Sequence, residues 1–194
     1  MSVFTGLTSN TPKKLLLDAG AFFKNYDLTK GYDGNAANLI GATQGGGSFS
    51  AVPTVRKIEV DGAKENVAQL QSIDGWVVTM TANVKEVTAD NMVLALGAAK
   101  SEEATGEGLT GNTKITAKAD FEASDYLENI TWVGRLSGSQ DPVVIVVKNA
   151  VSVNGLSLTM ADKAEANIPL TVTGHYSLDD LETPPFEIYY PKVV

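Results

Sequence analysis

Residues 73–99 read IDGWVVTMTANVKEVTADNMVLALGAA, and both periodicities of a folded chain lie within them. Trp76, Val78, Met80, Ala82 and Val84 fall on one side of an extended backbone, and Val77, Thr79, Thr81 and Asn83 on the other. That period of two predicts a half-buried strand. Thr88 then offers a hydroxyl at an N-cap position, and Asp90 places a negative charge in the first turn. Met92, Val93 and Leu96 follow at helical spacing and form the expected packing or interface stripe. Gly97 is an early stop, and the spacing predicts one helix over about 88–99.

Working outward from this stretch, almost everything else reads as strand or loop. In Thr54–Asp61, Ile58 and Val60 alternate with Lys57, Glu59 and Asp61, and Asp61-Gly62 signals a turn. The connector over 62–72 looks modest. Ahead of it, Gly45-Gly46-Gly47 reads as a loop, and the first 50 residues read as a loop-rich arm holding a short strand near Leu15–Asn25. Behind the helix, Lys100–Gly111 carries Glu102, Glu103 and Glu107 and has the composition of a surface loop. Strand patterns recur at Thr113–Phe121, Tyr126–Leu136, Val143–Val153, Ile168–Tyr176 and Phe186–Tyr190. Asn154-Gly155 predicts a hairpin from Val143–Val153 into Leu156–Met160. About eight strands and one flanking α-helix describe a mainly β protein, an antiparallel β-sandwich or barrel-like fold, read as one domain over 1–194.

Composition narrows the functions. With 194 residues and 43% hydrophobic content, the chain is large enough for a sizeable core. It has no cysteine, which excludes disulfides and thiolate metal sites. No run approaches the roughly 20 apolar residues of a spanning helix, and no secretory pattern opens the chain. The net charge of −8 argues against gripping nucleic acid, where Lys and Arg must neutralise phosphates.

Motifs for chemistry are weak. The glycine run lacks the Gly-Lys-Ser/Thr ending of a phosphate loop. His175 is the only histidine, and no Gly-x-Ser-x-Gly elbow accompanies it. Asp179, Asp180 and Glu182 match no calcium-loop spacing and read as solvated turn residues beside Pro184. Asn129-Ile130-Thr131 fits a glycosylation acceptor but falls inside a predicted strand. Trp76 and Trp132 lie on the more apolar faces of their strands, where core packing is the default. The expectation is a protein that is not an enzyme and carries no cofactor or metal. A secreted or surface β-sandwich binding module of the carbohydrate-binding type is the alternative, and it needs an aromatic-lined groove or a calcium site.

The succession Gly45–Pro53, Arg56–Gly62, Trp76–Lys85 and the helix over Val87–Ala99, continued through Ile130–Leu136 and Val143–Gly155, resembles the major tail proteins of long-tailed bacteriophages. The resemblance rests on texture and order of elements from about Leu15 onward. It implies a structural, virion-resident subunit assembled in the bacterial cytoplasm, six to a ring, with rings stacked into a hollow tail tube. Such a tube surrounds a tape-measure protein, meets terminator and initiator proteins, touches no membrane and conducts DNA without binding it. On that resemblance Glu59, Asp61, Thr79, Thr81 and Asn83 are lumen-facing candidates. Gly45, Gly46, Gly47, Glu102, Glu103 and Glu107 are inter-ring candidates. Many tail tube proteins carry a long hairpin arm before the helix that contacts the neighbouring ring, and the modest connector over 62–72 departs from that pattern.

Overall fold

The computed structural model describes residues 5–65, 67–106 and 108–192. The fold is mainly β, with one α-helix beside a curled antiparallel sheet. In chain order the strands are β1 (Leu16–Lys24), β2 (Thr43–Lys57), β3 (Gln71–Val84), β4 (Ala99–Glu103), β5 (Thr113–Ala117), β6 (Leu127–Leu136), β7 (Val143–Ser152), β8 (Ile168–Gly174) and β9 (Phe186–Tyr189). The helix α1 spans Ala89–Leu96.

The main sheet runs β1-β6-β7-β8-β3-β2, with β9 also on β7, and β4 and β5 form a separate hairpin. β7 is shared between two layers. Its first half, Val144–Val147, pairs with β9, whereas Val151 and Ser152 pair with β8. Between them Asn149 takes a left-handed backbone (φ 46), a conformation asparagine tolerates better than most residues, so the strand turns from one layer into the other. The layers therefore face each other as a sandwich.

Val78, Met80, Ala82 and Val84 of β3 meet Ile168, Leu170 and Val172 of β8 across from Phe22, Ile130 and Val147. Phe186 of β9 closes one end of this core against Phe49 and Trp76. A smaller cluster lies on the far side of the β1-β6-β7 layer, where Phe23, Tyr26, Val133, Val144 and Val146 pack together. Asn35 seals it: its amide donates to the carbonyls of Asp27 and Gly31, and its side-chain oxygen accepts from the Asp27 amide.

The helix starts as its sequence requires, with the Thr88 hydroxyl accepting from the Asn91 amide at 3.2 Å. It ends at Leu96, short of the predicted Ala99, because Gly97 adopts φ 75 and packs where any Cβ would stand 2.0 Å from the Ser152 carbonyl oxygen. Ala99 already opens β4. Buried Asn91 donates to the carbonyls of Ile40 and Glu86, and the Ser152 hydroxyl donates to that of Ala95. The contact face is thus Asn91, Met92 and Ala95, with Leu94 at its margin, while Val93 and Leu96 are only half-buried.

Four other expectations need correction. Gly45-Gly46-Gly47 is not a loop but a bulge inside β2: pairing with β3 jumps from Thr43↔Val84 to Gly47↔Ala82. Gly45 and Gly46 have φ of 77 and 69, and a Cβ on Gly47 would lie 2.0 Å from the Thr81 carbonyl oxygen. The hairpin into Leu156–Met160 does not form. β7 ends at Ser152, and the chain runs without strand structure until an isolated bridge at Ala161 and then β8. Glu102 and Glu103 belong to β4, whose pairing with β5 sets Glu102 opposite Lys114, rather than to a loop. Much of the supposed N-terminal arm is likewise sheet, since β1 and the start of β2 lie within the first 50 residues.

Candidate functional site

The β2–β3 hairpin is the largest departure from expectation and the most informative region. β2 is 15 residues long and β3 is 14. β8, however, pairs only with Val78–Val84. Beyond Val78 the two strands continue alone, from Val52↔Val77 out to Lys57↔Gln71. Six residue steps of about 3.4 Å give an arm roughly 20 Å long before its tip. At its root the Tyr176 hydroxyl accepts from the Trp76 amide at 2.9 Å, taking over where β8 leaves the ladder. Arg56 and Asp74 pair across the arm at 3.1 Å, where the register slips between Thr54 and Val55.

Val55 and Ile73 are direct cross-strand partners and both are exposed. Val52 and Val77 form another exposed pair, and Ile58, Val60 and Val67 add apolar surface at the tip. The tip folds through bonds from Ile58 N–H to Leu70 C=O at 3.0 Å and from Ala63 N–H to Val60 C=O at 3.0 Å. Glu59 and Asp61 are therefore exposed residues of this connection, past the end of β2, and not on a sheet face. β-Branched apolar side chains on a projecting ribbon make a surface suited to burial against another protein.

Thr79, Thr81 and Asn83 do share one face of β3, turned away from the core. The register extends that face sideways: Ser50↔Thr79↔Thr173 and Ser48↔Thr81↔Thr171 lie side by side, with Pro169 opposite Asn83. The Ser48 and Thr81 hydroxyls are 2.7 Å apart and hydrogen-bonded. No charged side chain belongs to these ladders. The face offers hydroxyls and amides that bind water well, without a fixed charge to hold phosphates.

The hairpin also leaves an edge open. Among the described residues β2 has a strand partner only on its β3 side, so alternate backbone N–H and C=O groups of a long strand point outward. At the other end of the sheet β1 is partly covered, through the Ile40 amide to the Phe22 carbonyl at 2.9 Å and the Phe23↔Leu39 bridge. The sheet curls until β1 and β2 approach without pairing. Between them lies an apolar cleft of about 260 Å³ lined by Phe22, Phe49, Met80, Trp132 and Leu16.

The remaining candidates occupy structural positions. Trp76 packs edge-on against Phe186, and the Trp132 indole donates to the Ala19 carbonyl at 2.8 Å, so neither forms an exposed platform. His175 packs against Tyr126 with Nδ1 3.1 Å from the Asn149 carbonyl, at the bend of β7. Asp180 accepts from the Glu182 and Thr183 amides, and its carboxyl is held below the usual range first by Thr183. Gly46 is buried against Ala19 of β1, and Gly45 is exposed at the bulge. Glu107 lies outside the described residues. Among the described residues no helix is long and apolar enough to cross a membrane. Neither protein-family models nor curated proteins give a match to this chain.

Proposed function

We propose that this protein is a structural subunit that polymerises through its sheet, and that its assembly is the hollow tail tube of a long-tailed phage or of a related injection particle. The observation that carries the reading is the β2–β3 hairpin, a long open-edged ribbon whose outer half has no further strand partner among the described residues. An edge of this kind aggregates without order unless an assembly covers it, and closing the sheet from subunit to subunit removes every edge. The arm matches in kind the inter-ring hairpin that the family resemblance implies. Its tip carries Glu59 and Asp61, which moves those residues from the lumen to the ring-to-ring contact.

The lumen in this proposal is the uncharged face of Ser48, Ser50, Thr79, Thr81, Thr171 and Thr173. Hydroxyls let DNA and a tape-measure protein slide through a hydrated channel without counterion exchange. Thr79→Lys with Thr81→Lys leaves assembly intact and makes tubes retain DNA in a salt-dependent way, read by co-sedimentation. Retention equal to the unsubstituted protein removes this face from the lumen. Electron microscopy of the purified full chain, fresh and after days at high concentration and with initiator proteins added, tests the reading as a whole. Rings with six-fold end views or hollow tubes support it. Monomers under every condition contradict it.

A further inference from the structure

Two leucine-rich patches of opposite charge lie at different places on the molecule, and both are exposed. The first is the loop between β8 and β9, Ser177-Leu178-Asp179-Asp180-Leu181-Glu182, where Leu178 is 96% exposed and Leu181 67%. The second begins β1. Lys13 and Lys14 lead into Leu15 and Leu17, both solvent-exposed, and β6 places Arg135 opposite Leu17, while Leu16 turns to the other face of β1, toward the cleft. Lys13 and Arg135 share a shallow groove with Ser137, Gly138 and Ser139. The groove is held in shape by the Leu15 amide donating to the Ser137 hydroxyl at 3.0 Å and by the Ser137 amide donating to the Leu15 carbonyl at 2.9 Å.

Among the described residues Lys13, Lys14 and Arg135 enter no ion pair, and neither do Asp179 and Glu182. In a chain of net charge −8, an unpaired basic patch beside exposed leucines is a specific feature rather than the general surface. The patches cannot meet inside one molecule. Arg135 lies just past the Gly134↔Val143 pair, whereas the loop is anchored beside Lys148, whose backbone amide donates to the Pro185 carbonyl just ahead of β9. Five residue steps along β7, about 17 Å, separate the two levels.

We infer that the acidic leucine loop of one copy docks on the basic leucine patch of a second copy of this chain. Leu178 and Leu181 cover Leu15 and Leu17 there, and Asp179 and Glu182 face Lys13, Lys14 and Arg135. The contact joins two different surfaces, so it is heterologous and propagates head to tail into a ring or a filament rather than ending at a dimer. The inference rests on the proposed self-assembly for the identity of the partner, and adds a contact independent of the β2 edge and the arm.

The absence of cysteine makes a clean test available. Full-length Leu181→Cys and Leu17→Cys proteins, prepared separately, are mixed and oxidised mildly. The expected product is a disulfide-linked pair joining the two variants, in excess over what either preparation forms alone. Lys14→Glu with Arg135→Glu in the Leu17→Cys partner abolishes that product, and Asp179→Lys with Glu182→Lys in the other partner restores it. Circular dichroism melting confirms that every variant is folded. A missing cross-link, or one indifferent to charge reversal, overturns the inference. Rings or tubes that form without this cross-link overturn it and leave the tail-tube reading standing. A charge-dependent cross-link in chains that never close into rings upholds the contact and counts against the tube.

Discussion

The two halves of β3 look alike in sequence and differ completely in surroundings. In the inner half, Val78 and Met80 are 0% and 1% exposed, flanked by β8 in the sheet and buried in the core with Phe22, Ile130 and Val147. In the outer half, Ile73 on the same strand is 57% exposed and faces Val55 with nothing above it. Composition does not separate them, because both are β-branched or apolar residues with strand propensity. What separates them is how far β8 extends. The lesson is that an apolar residue on a strand states that it will be covered, and not by which chain.

Substitutions in the two halves sharpen this contrast. The largest effect falls in the inner half, where Met80→Ala costs about 2–5 kcal/mol in denaturant unfolding by opening a cavity in the core. A loss no greater than that of a surface change would mean the layers do not pack as described. Next, Thr88→Ala removes the cap of the helix that closes the inner half and costs about 1 kcal/mol on the same assay. In the outer half, Val55→Ser with Ile73→Ser changes subunit stability by no more than about 0.5 kcal/mol, as expected of exposed sites. The same pair lowers the yield of assembled particles sharply, read by sedimentation. Full assembly of this variant breaks the comparison, since the arm would then be an ordinary solvated hairpin.

The smallest effect concerns acid. Glu187 of β9 has its carboxyl held below the ordinary glutamate range, first by the Lys148 ammonium and then by the Tyr189 hydroxyl, against a smaller opposing effect of burial. A lowered folded-state value means the carboxylate contributes stability above the unfolded value of about 4.3 and loses it as pH falls through the folded one. Glu187→Gln therefore flattens the acid limb of the stability curve slightly, because the group is partly exposed and screened. An unchanged limb would place the acid sensitivity elsewhere, with Asp125 the next carboxylate to examine.

Much of this fold was legible in the residues, because alternation and capping are local. The Trp76–Val84 part of β3, with β6, β7, β8, β9 and the start of α1, follows from period and cap alone. The failures share a cause. Gly45-Gly46-Gly47 reads as loop because glycine is the usual residue of turns, yet its neighbours Phe49 and Ala51 carry the strand alternation backward to Thr43 through a bulge. Beginning the partner strand at Trp76 instead of Gln71 hid the arm, whose reach also depends on β8 leaving the ladder at Val78. Asn154-Gly155 is a strong hairpin signal locally, but β8 supplies the pairing that Leu156–Met160 was expected to make. The hydroxyl face was half visible in Thr79 and Thr81. Its breadth required the register that brings Ser48 and Thr171 beside them, and no single strand encodes that.

The open edge of β2 is the centre of the account, and amide hydrogen exchange reads it directly. In the dispersed subunit, the amides of Ser48–Lys57 that point away from β3 exchange fast while their β3-facing neighbours are protected. In assembled particles the account predicts that the outward amides become protected as well, together with those of the arm. Particles in which these amides exchange as fast as in the free subunit would contradict it.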